Sequence, residues 1–377
     1  MNQNWQDIQS KMVNRAKQQL QEYRMPVAKD RILLLGKRIL KGEAKQRDLI
    51  FWPAGLLMTG LLEAGEKQAV EEYLHHWMDE GSPVLHPDDA LTGSVILGLY
   101  AKEEETQQKQ NEIQMAERIY SYLVSCRRDA NGTIVYGQGS NNSWIYADGA
   151  GQTALFFSRY ARVMKVNPSS LEMYKKARKE AADGLCAFFQ NGMDEASFLP
   201  YHGYDLESGV KLGVIGWGRA VGWLLMGLTE YCIDFLTKEE EDTKKEDAVI
   251  WSGTVKMIAA VCQRVRKDGM FSWQLDCKEG PLDTSATGMI CYSLFRLDHF
   301  LQHHPECNEE GFCLEKTGMD DSFFHAAASG LFHYVDEEGN VMSSSAECID
   351  FGQYRQQYGN YPWGQGAVLS FLSLYDA

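Results

Sequence analysis

No stretch of 18 uninterrupted apolar residues occurs in this sequence, so no membrane-spanning helix is expected. A sustained Lys/Arg stripe is missing as well, and the formal net charge is −15. Phosphate backbones need a basic surface, so nucleic acid is not an expected partner. A small anionic substrate stays open, because one buried Arg can reverse the field locally. Only 9 prolines stand against 34 glycines in 377 residues, which speaks for close-packed elements rather than a proline-rich linker array. Met1 to Tyr23 is Gln-, Lys- and Arg-rich without an apolar core, so no secretory signal is expected. None of the 9 cysteines forms a C-x-x-C pair, and Cys186, Cys232, Cys262 and Cys291 fall inside apolar helical patterns. Buried, reduced thiols in a cytoplasmic protein are the expectation. The dinucleotide, Walker A, H-E-x-x-H and G-x-S-x-G patterns are all lacking. His75-His76 and His303-His304 have no third ligand at metal spacing, so no metal is assigned.

What is present is an alternation of two kinds of segment. One kind is rich in small residues and apolar almost all round: Phe51 to Ala64, Asp89 to Ala101, Asp148 to Ala161, Gly216 to Cys232, Asp283 to Leu297 and Tyr361 to Ala377. A helix apolar on every face must be surrounded by protein. The other kind carries an apolar stripe at 3.6 spacing and a charged face: Trp5 to Tyr23, Lys67 to Met78, Glu112 to Arg127, Leu171 to Phe189, Ala248 to Val265 and Asp321 to Val335. The two kinds alternate strictly along the chain. This order predicts an all-α (α/α)6 toroid, a single domain over residues 1–377 with six inner helices ringed by six outer ones. An open solenoid would need a tighter period than these unequal, lengthening intervals. Strand content should be small, with Gly132 to Gly137 and Gly269 to Gln274 as candidate hairpin pieces, and Lys238 to Asp247 reads as a solvated loop.

In such a ring the inner helices start on one face, and those starts carry unusual chemistry. Asp88 and Asp89 precede the second inner helix, and Asp148 opens the third. Trp217 and Arg219 open the fourth, with Trp223 two turns in. Asp283-Thr284-Ser285 opens the fifth, and Tyr361 and Trp363 open the sixth. Taken singly, an Asp or Ser at a helix start is first a cap for free N–H groups. Capping does not ask for tryptophans beside the caps or for an Arg in an apolar helix. Carboxylates for proton transfer, a guanidinium for an anion and aromatic platforms for sugar rings are the contents of a carbohydrate site. His202, flanked by Tyr201 and Tyr204 in a loop before the Trp-Arg helix, joins the candidates.

From about Phe51 to its C-terminus the chain resembles the unsaturated glycuronyl hydrolases, above all the unsaturated rhamnogalacturonyl hydrolases of glycoside hydrolase family 105 and their relatives in family 88. The carriers are Asp88 five residues before Gly93, Asp148-Gly149 opening an apolar helix, Tyr201-His202-Gly203-Tyr204-Asp205, Trp217-Gly-Arg219-Ala-Val-Gly222-Trp223, Asp283-Thr284-Ser285-Ala286 and Gly364-Gln-Gly366-Ala367. The resemblance implies hydration of the 4,5 double bond that polysaccharide lyases leave on a terminal uronic acid. Asp148 would protonate carbon 4 and then activate the water that adds to carbon 5. Burial favours the protonated carboxyl this needs, the helix N-terminus opposes it, and a neighbouring carboxylate such as Asp88 would help. Arg219 and His202 would orient the substrate and Trp217 and Trp223 stack on it, with Tyr146, Tyr204 and Trp363 nearby. The partner implied is a small oligosaccharide from pectin-like material, with unsaturated galacturonate followed by rhamnose as the default, and no cofactor is required. Ala150-Gly151-Gln152, Tyr146 and Gly137-Gln138 depart from the family's usual residues and bear on the substrate more than on the reaction. A conventional acid/base glycosidase pairing Asp88 or Asp89 with Asp148, or a non-catalytic sugar-binding relative, are the alternatives.

Overall fold

A computed structural model describes residues 3–24, 48–101, 107–138, 143–166, 170–235, 244–305 and 312–375. The helices are α1 (Gln3–Arg24), α2 (Trp52–Glu63), α3 (Lys67–Asp79), α4 (Ala90–Ala101), α5 (Gln107–Ser125), α6 (Ala147–Lys165), α7 (Leu171–Asn191), α8 (Gly218–Phe235), α9 (Lys244–Cys262), α10 (Thr284–His303), α11 (Asp321–Phe332) and α12 (Pro362–Tyr375). The even-numbered helices are the all-round apolar segments, and each packs on the next: α2 on α4, then α6, α8, α10 and α12, which returns to α2. That closed sequence of contacts is the inner ring of an (α/α)6 toroid. The odd-numbered helices lie outside it, with apolar stripes such as Val70, Tyr73, Leu74 and Trp77 of α3 buried against the ring.

Small residues set how closely the inner helices approach. A Cβ on Gly151 of α6 would lie 2.1 Å from the Trp223 carbonyl oxygen of α8, and one on Gly227 of α8 would lie 2.5 Å from the Gly151 carbonyl oxygen. The seam between α12 and α2 is built alike, since a Cβ on Gly366 would meet the Leu56 carbonyl oxygen at 2.3 Å. Backbone cannot yield as a side-chain tip can, so Gly151→Ala is expected to destabilise by about 1–3 kcal/mol or more. A thermal melt reads this, and a variant melting with the parent would show that the α6–α8 spacing tolerates a methyl group.

Strands are short and lie between helices. β1 (Trp144–Tyr146), β2 (Gly203–Asp205) and β3 (Val210–Leu212) form an antiparallel sheet in that order, pairing Tyr146 with Gly203 and Gly203 with Leu212. β4 (Ser344–Ser345) pairs with β7 (Tyr358–Gly359), and β5 (Cys348–Asp350) with β6 (Gln353–Tyr354). The two expected hairpin pieces contribute isolated bridges instead, Arg128 to Ile134, Ser272 to Leu282 and Trp217 to Gln274. Of the expected loop at Lys238 to Asp247, residues up to 243 lie outside the described residues, while 244–247 begin α9. Asp247 is anchored there, accepting from Arg178 Nη2 at 2.6 Å and from Tyr231 Oη at 2.6 Å. The charge run is thus partly a helix start tied to α7 and α8. No described helix is long and apolar enough to cross a membrane.

Candidate active site

The inner helices start on one face, and a cleft opens there with about 490 Å³ of space between its lining atoms, solvent mouth included. Its walls are Trp52, Tyr136, Tyr146, Asp148, His202, Trp217, Arg219, Trp223 and the stretch Cys348 to Asp350. Six candidates named from the sequence therefore share one cavity: Asp148, His202, Trp217, Arg219, Trp223 and Tyr146. Asp148 sits in the first turn of α6, and His202, just before β2, holds Nε2 3.2 Å from Asp148 Oδ2. The sheet makes this meeting possible, because Ala147 N–H donates to the His202 carbonyl and so ties the start of α6 to the histidine. No described group hydrogen-bonds Asp148 Oδ2 or the Trp217 indole N–H in good geometry, although both atoms are buried. Buried polar groups are normally satisfied, so an indole N–H without a described acceptor and a carboxylate oxygen approached only by His202, on two residues lining one cleft, suit a ligand.

Arg219 is 1% exposed on the first turn of α8. Its Nη1 donates to the Ser345 carbonyl and hydroxyl, each at 2.6 Å, and Nη2 donates to the Ala346 carbonyl at 2.9 Å. The guanidinium lies over Trp217 at 4.7 Å. Burial pulls its pKa down, while Asp283 and Asp148 push the other way. Asp283 is what the single-residue reading made it, a cap: Oδ1 accepts from Ser285 N–H and Ala286 N–H. It also accepts from Ser345 N–H and from the Ser345 hydroxyl, thereby holding the strand that holds Arg219.

Asp88 stands one side chain back from the cleft. Tyr136 Oη donates to its Oδ2 at 3.0 Å, and His86 Nδ1 lies 3.0 Å from Oδ1. Tyr136 rests on the start of α6, where a Cβ on Gly149 would meet its ring at 2.8 Å. Burial first, then Asp88 and Asp148, hold the Tyr136 phenol well above its ordinary range, so it stays a donor. Asp89 caps, accepting from Leu85 N–H and His86 N–H, and burial beside Asp48 and Asp88 raises its carboxyl. Tyr204 faces away from the cleft and packs on Phe188 of α7, because side chains alternate along a strand and the cleft side at this point belongs to Gly203. Trp363 lies behind Trp52, with ring centroids 5.0 Å apart, and donates its indole N–H to the Ser345 carbonyl.

Sequence reasoning missed Trp52, Tyr136 and the whole β5–β6 hairpin. Trp52 carries the signal used at the other helix starts, an aromatic residue at the head of an apolar helix, and was recoverable. The hairpin was not. Phe351 stacks on Tyr146 at 4.1 Å, and Tyr354 Oη lies 2.9 Å from His202 Nδ1, 152 residues away in the chain. Gly203 and Gly213 make room for it, since a Cβ on either would strike Phe351 or Tyr354. Cys348 donates its thiol to the Asp350 carbonyl, and burial followed by Asp148 pushes that thiol up to about 12, which leaves it a poor nucleophile. Among the described residues no group of three or more His, Cys, Asp or Glu is placed to hold a metal ion.

The sequence profile of Glycosyl Hydrolase Family 88 matches residues 36–375. The unsaturated rhamnogalacturonyl hydrolase YesR of Bacillus subtilis (strain 168) is 23% identical over 344 residues, covering 85% of this chain and 88% of that one. Among solved structures, a possible family 105 member from Klebsiella pneumoniae superposes with TM-score 0.69 at 16% identity, covering 86% of this chain and 82% of that one. The unsaturated glucuronyl hydrolase of Bacillus sp. GL1, responsible for degradation of glycosaminoglycan, gives TM-score 0.63 at 15% identity, with 86% of each chain covered. These structural likenesses establish the toroid.

Proposed function

The chain belongs to glycosyl hydrolase family 88, and from that membership and the cleft we propose that it removes a 4,5-unsaturated uronic acid from lyase-generated oligosaccharides by hydrating the double bond. The observation that carries this reading is the pairing of Asp148 with His202 above a buried floor of Trp217, Arg219 and Trp223. Asp148 gives a proton to carbon 4, and the cation that forms at carbon 5 is stabilised by the ring oxygen. Water adds at carbon 5 and returns a proton to Asp148. The hemiketal then opens and frees the neighbouring sugar. Atoms balance with one water consumed and the carboxyl regenerated, and the sequence of steps calls for no cofactor.

The other groups have supporting parts. Val214 N–H donates to Tyr354 Oη at 3.0 Å, so the phenol proton is directed to His202 Nδ1. The imidazole then keeps its proton on Nε2, toward Asp148, and holds that carboxyl in place. Arg219 takes the uronate carboxylate, helped by the positive ends of the inner helices. Trp217, Trp223 and Trp52 offer the apolar faces, and Tyr146, fixed by Phe351, closes one side. Asp88 acts through Tyr136 rather than on the substrate. This arrangement also weighs against a conventional glycosidase using Asp88, whose carboxylate is screened from the cleft by that phenol. Unsaturated galacturonate on rhamnose, from pectin-like material, is the default substrate, supported by the likeness to YesR. One catalytic domain over the whole chain and a reducing, cytoplasmic setting belong to the same reading, the latter supported by eight described cysteines that are all free thiols.

The test is absorbance. Purified protein given unsaturated galacturonyl and glucuronyl disaccharides should abolish the near-ultraviolet band of the conjugated double bond as sugar is released. Sugar released with the band intact would establish ordinary hydrolysis instead. No loss across the panel would end the proposal.

A further inference from the structure

The cleft is charged unevenly from floor to rim. Its floor residues Arg219, His202, Trp217 and Trp223 are each at most 2% exposed, whereas Ile349 at the rim is 52% exposed and Asp350 follows it. Among the described residues that line it, Arg219 is the only one with a fixed positive charge, and Asp148 and Asp350 carry the acids. The neighbouring Arg355 is exposed and paired with Glu347 at 3.2 Å. A terminal uronate at the floor is drawn by the Arg219 charge, and the sugar behind it lies toward the rim.

We propose that Asp350 makes the enzyme selective for leaving sugars that carry no negative charge of their own, an inference that rests on the hydration reading above. The hairpin holds the carboxylate in position. Asp350 Oδ1 accepts from Gly352 N–H at 2.7 Å, Cys348 Sγ donates to the Asp350 carbonyl at 2.8 Å, and the next residue, Phe351, is stacked on Tyr146. A rim carboxylate fixed in this way cannot swing clear of an incoming sulfate or second carboxylate. Two like charges about 5 Å apart in a partly solvated cleft discriminate by about tenfold, and salt weakens the effect. An uncharged leaving sugar meets instead an acceptor for its hydroxyl groups.

The experiment compares two unsaturated disaccharides that differ only by one sulfate on the leaving sugar, read by absorbance loss at low and high salt. The wild-type chain should prefer the unsulfated one by about tenfold in kcat/KM, and the preference should shrink as salt rises. Asp350→Asn keeps the oxygen that accepts from Gly352 and removes the charge, so the preference should largely disappear through a gain on the sulfated substrate. Asp350→Glu keeps the charge and should keep the preference. The salt series on the wild-type chain stands even if a variant folds poorly. Equal rates on the two substrates in the wild-type chain, or a preference untouched in Asp350→Asn, would overturn the proposal and leave the hydration reading in place. Absence of absorbance loss on both would overturn the hydration reading itself, and this inference with it.

Discussion

Asp148→Asn is expected to lower kcat/KM on an unsaturated uronyl disaccharide by roughly 10²–10⁴-fold while leaving the fold intact. The expectation follows from the proposed reaction, in which one group must both give and take a proton. An amide can do neither, and of the described carboxylates near the cleft Asp350 stands at the rim, accepting from Gly352 N–H, rather than beside His202. Asp88 is committed to Tyr136 and His86, and Asp283 to Ser285 and Ser345. Stability should hold because Asn has nearly the shape of Asp and its amide oxygen can still face His202 Nε2. The loss should fall on kcat more than on KM, since the proposed binding groups, Arg219 and the tryptophans, are left in place. Turnover within a few-fold of the parent would remove Asp148 from the reaction.

The second large effect is at the other end of the ring. Glu230 of α8 is fully buried and receives Arg159 Nη2 at 2.8 Å, Arg296 Nη1 at 2.7 Å and Arg162 Nη2 at 3.3 Å. Arg162 also pairs with Asp234. Burial alone would raise the Glu230 carboxyl, but Arg159, Arg296 and Arg162 together hold it well below the usual carboxylate range. Its charge therefore contributes stability at every pH above the unfolded value near 4.5, and that contribution is lost only as pH falls through the depressed folded value. Glu230→Gln removes the common acceptor charge and leaves the buried Arg159 and the partly buried Arg296 facing a neutral amide. A cost of about 3–5 kcal/mol is expected, because breaking a buried ion pair leaves uncompensated charge. Denaturant unfolding at neutral pH measures it, and a variant within 1 kcal/mol or so of the parent would show that water reaches these guanidinium groups. Of these arginines Arg162 lies in the last turn of α6, where the helix dipole favours positive charge.

This cluster was not legible from the sequence, for a reason different from the hairpin's. Arg159, Arg162, Glu230 and Arg296 look like ordinary charges on helices, and nothing local marks them as partners or Arg159 and Glu230 as buried. Only ring closure, which sets the ends of α6, α8 and α10 side by side, turns them into a network. Asp148, Arg219, Trp217 and Trp223 were legible because helix periodicity and the position of a helix start are local properties. Asp283 looked the same by that criterion and proved a cap. Asp88 looked the same and proved to be covered by Tyr136. Helix-start chemistry therefore identifies which residues reach one face of the ring, but not which of them touch the cleft.

By itself the sequence determined the twelve-helix alternation, the (α/α)6 ring and the face on which chemistry gathers, because each depends on apolar periodicity and on the order of segments along one chain. The tertiary structure alone decided which side chains meet. Tyr354 set against His202, Ser345 bridging Asp283 and Arg219, Phe351 seated over Gly203 and Asp350 at the rim all depend on contacts between residues far apart in the chain. A polar stretch such as Ser343 to Gly359 has no periodicity of its own to reveal where it will lie. Its place is set by contacts across the fold, with Gly203 and Gly213 leaving room for Phe351 and Tyr354 and Asp283 holding Ser345.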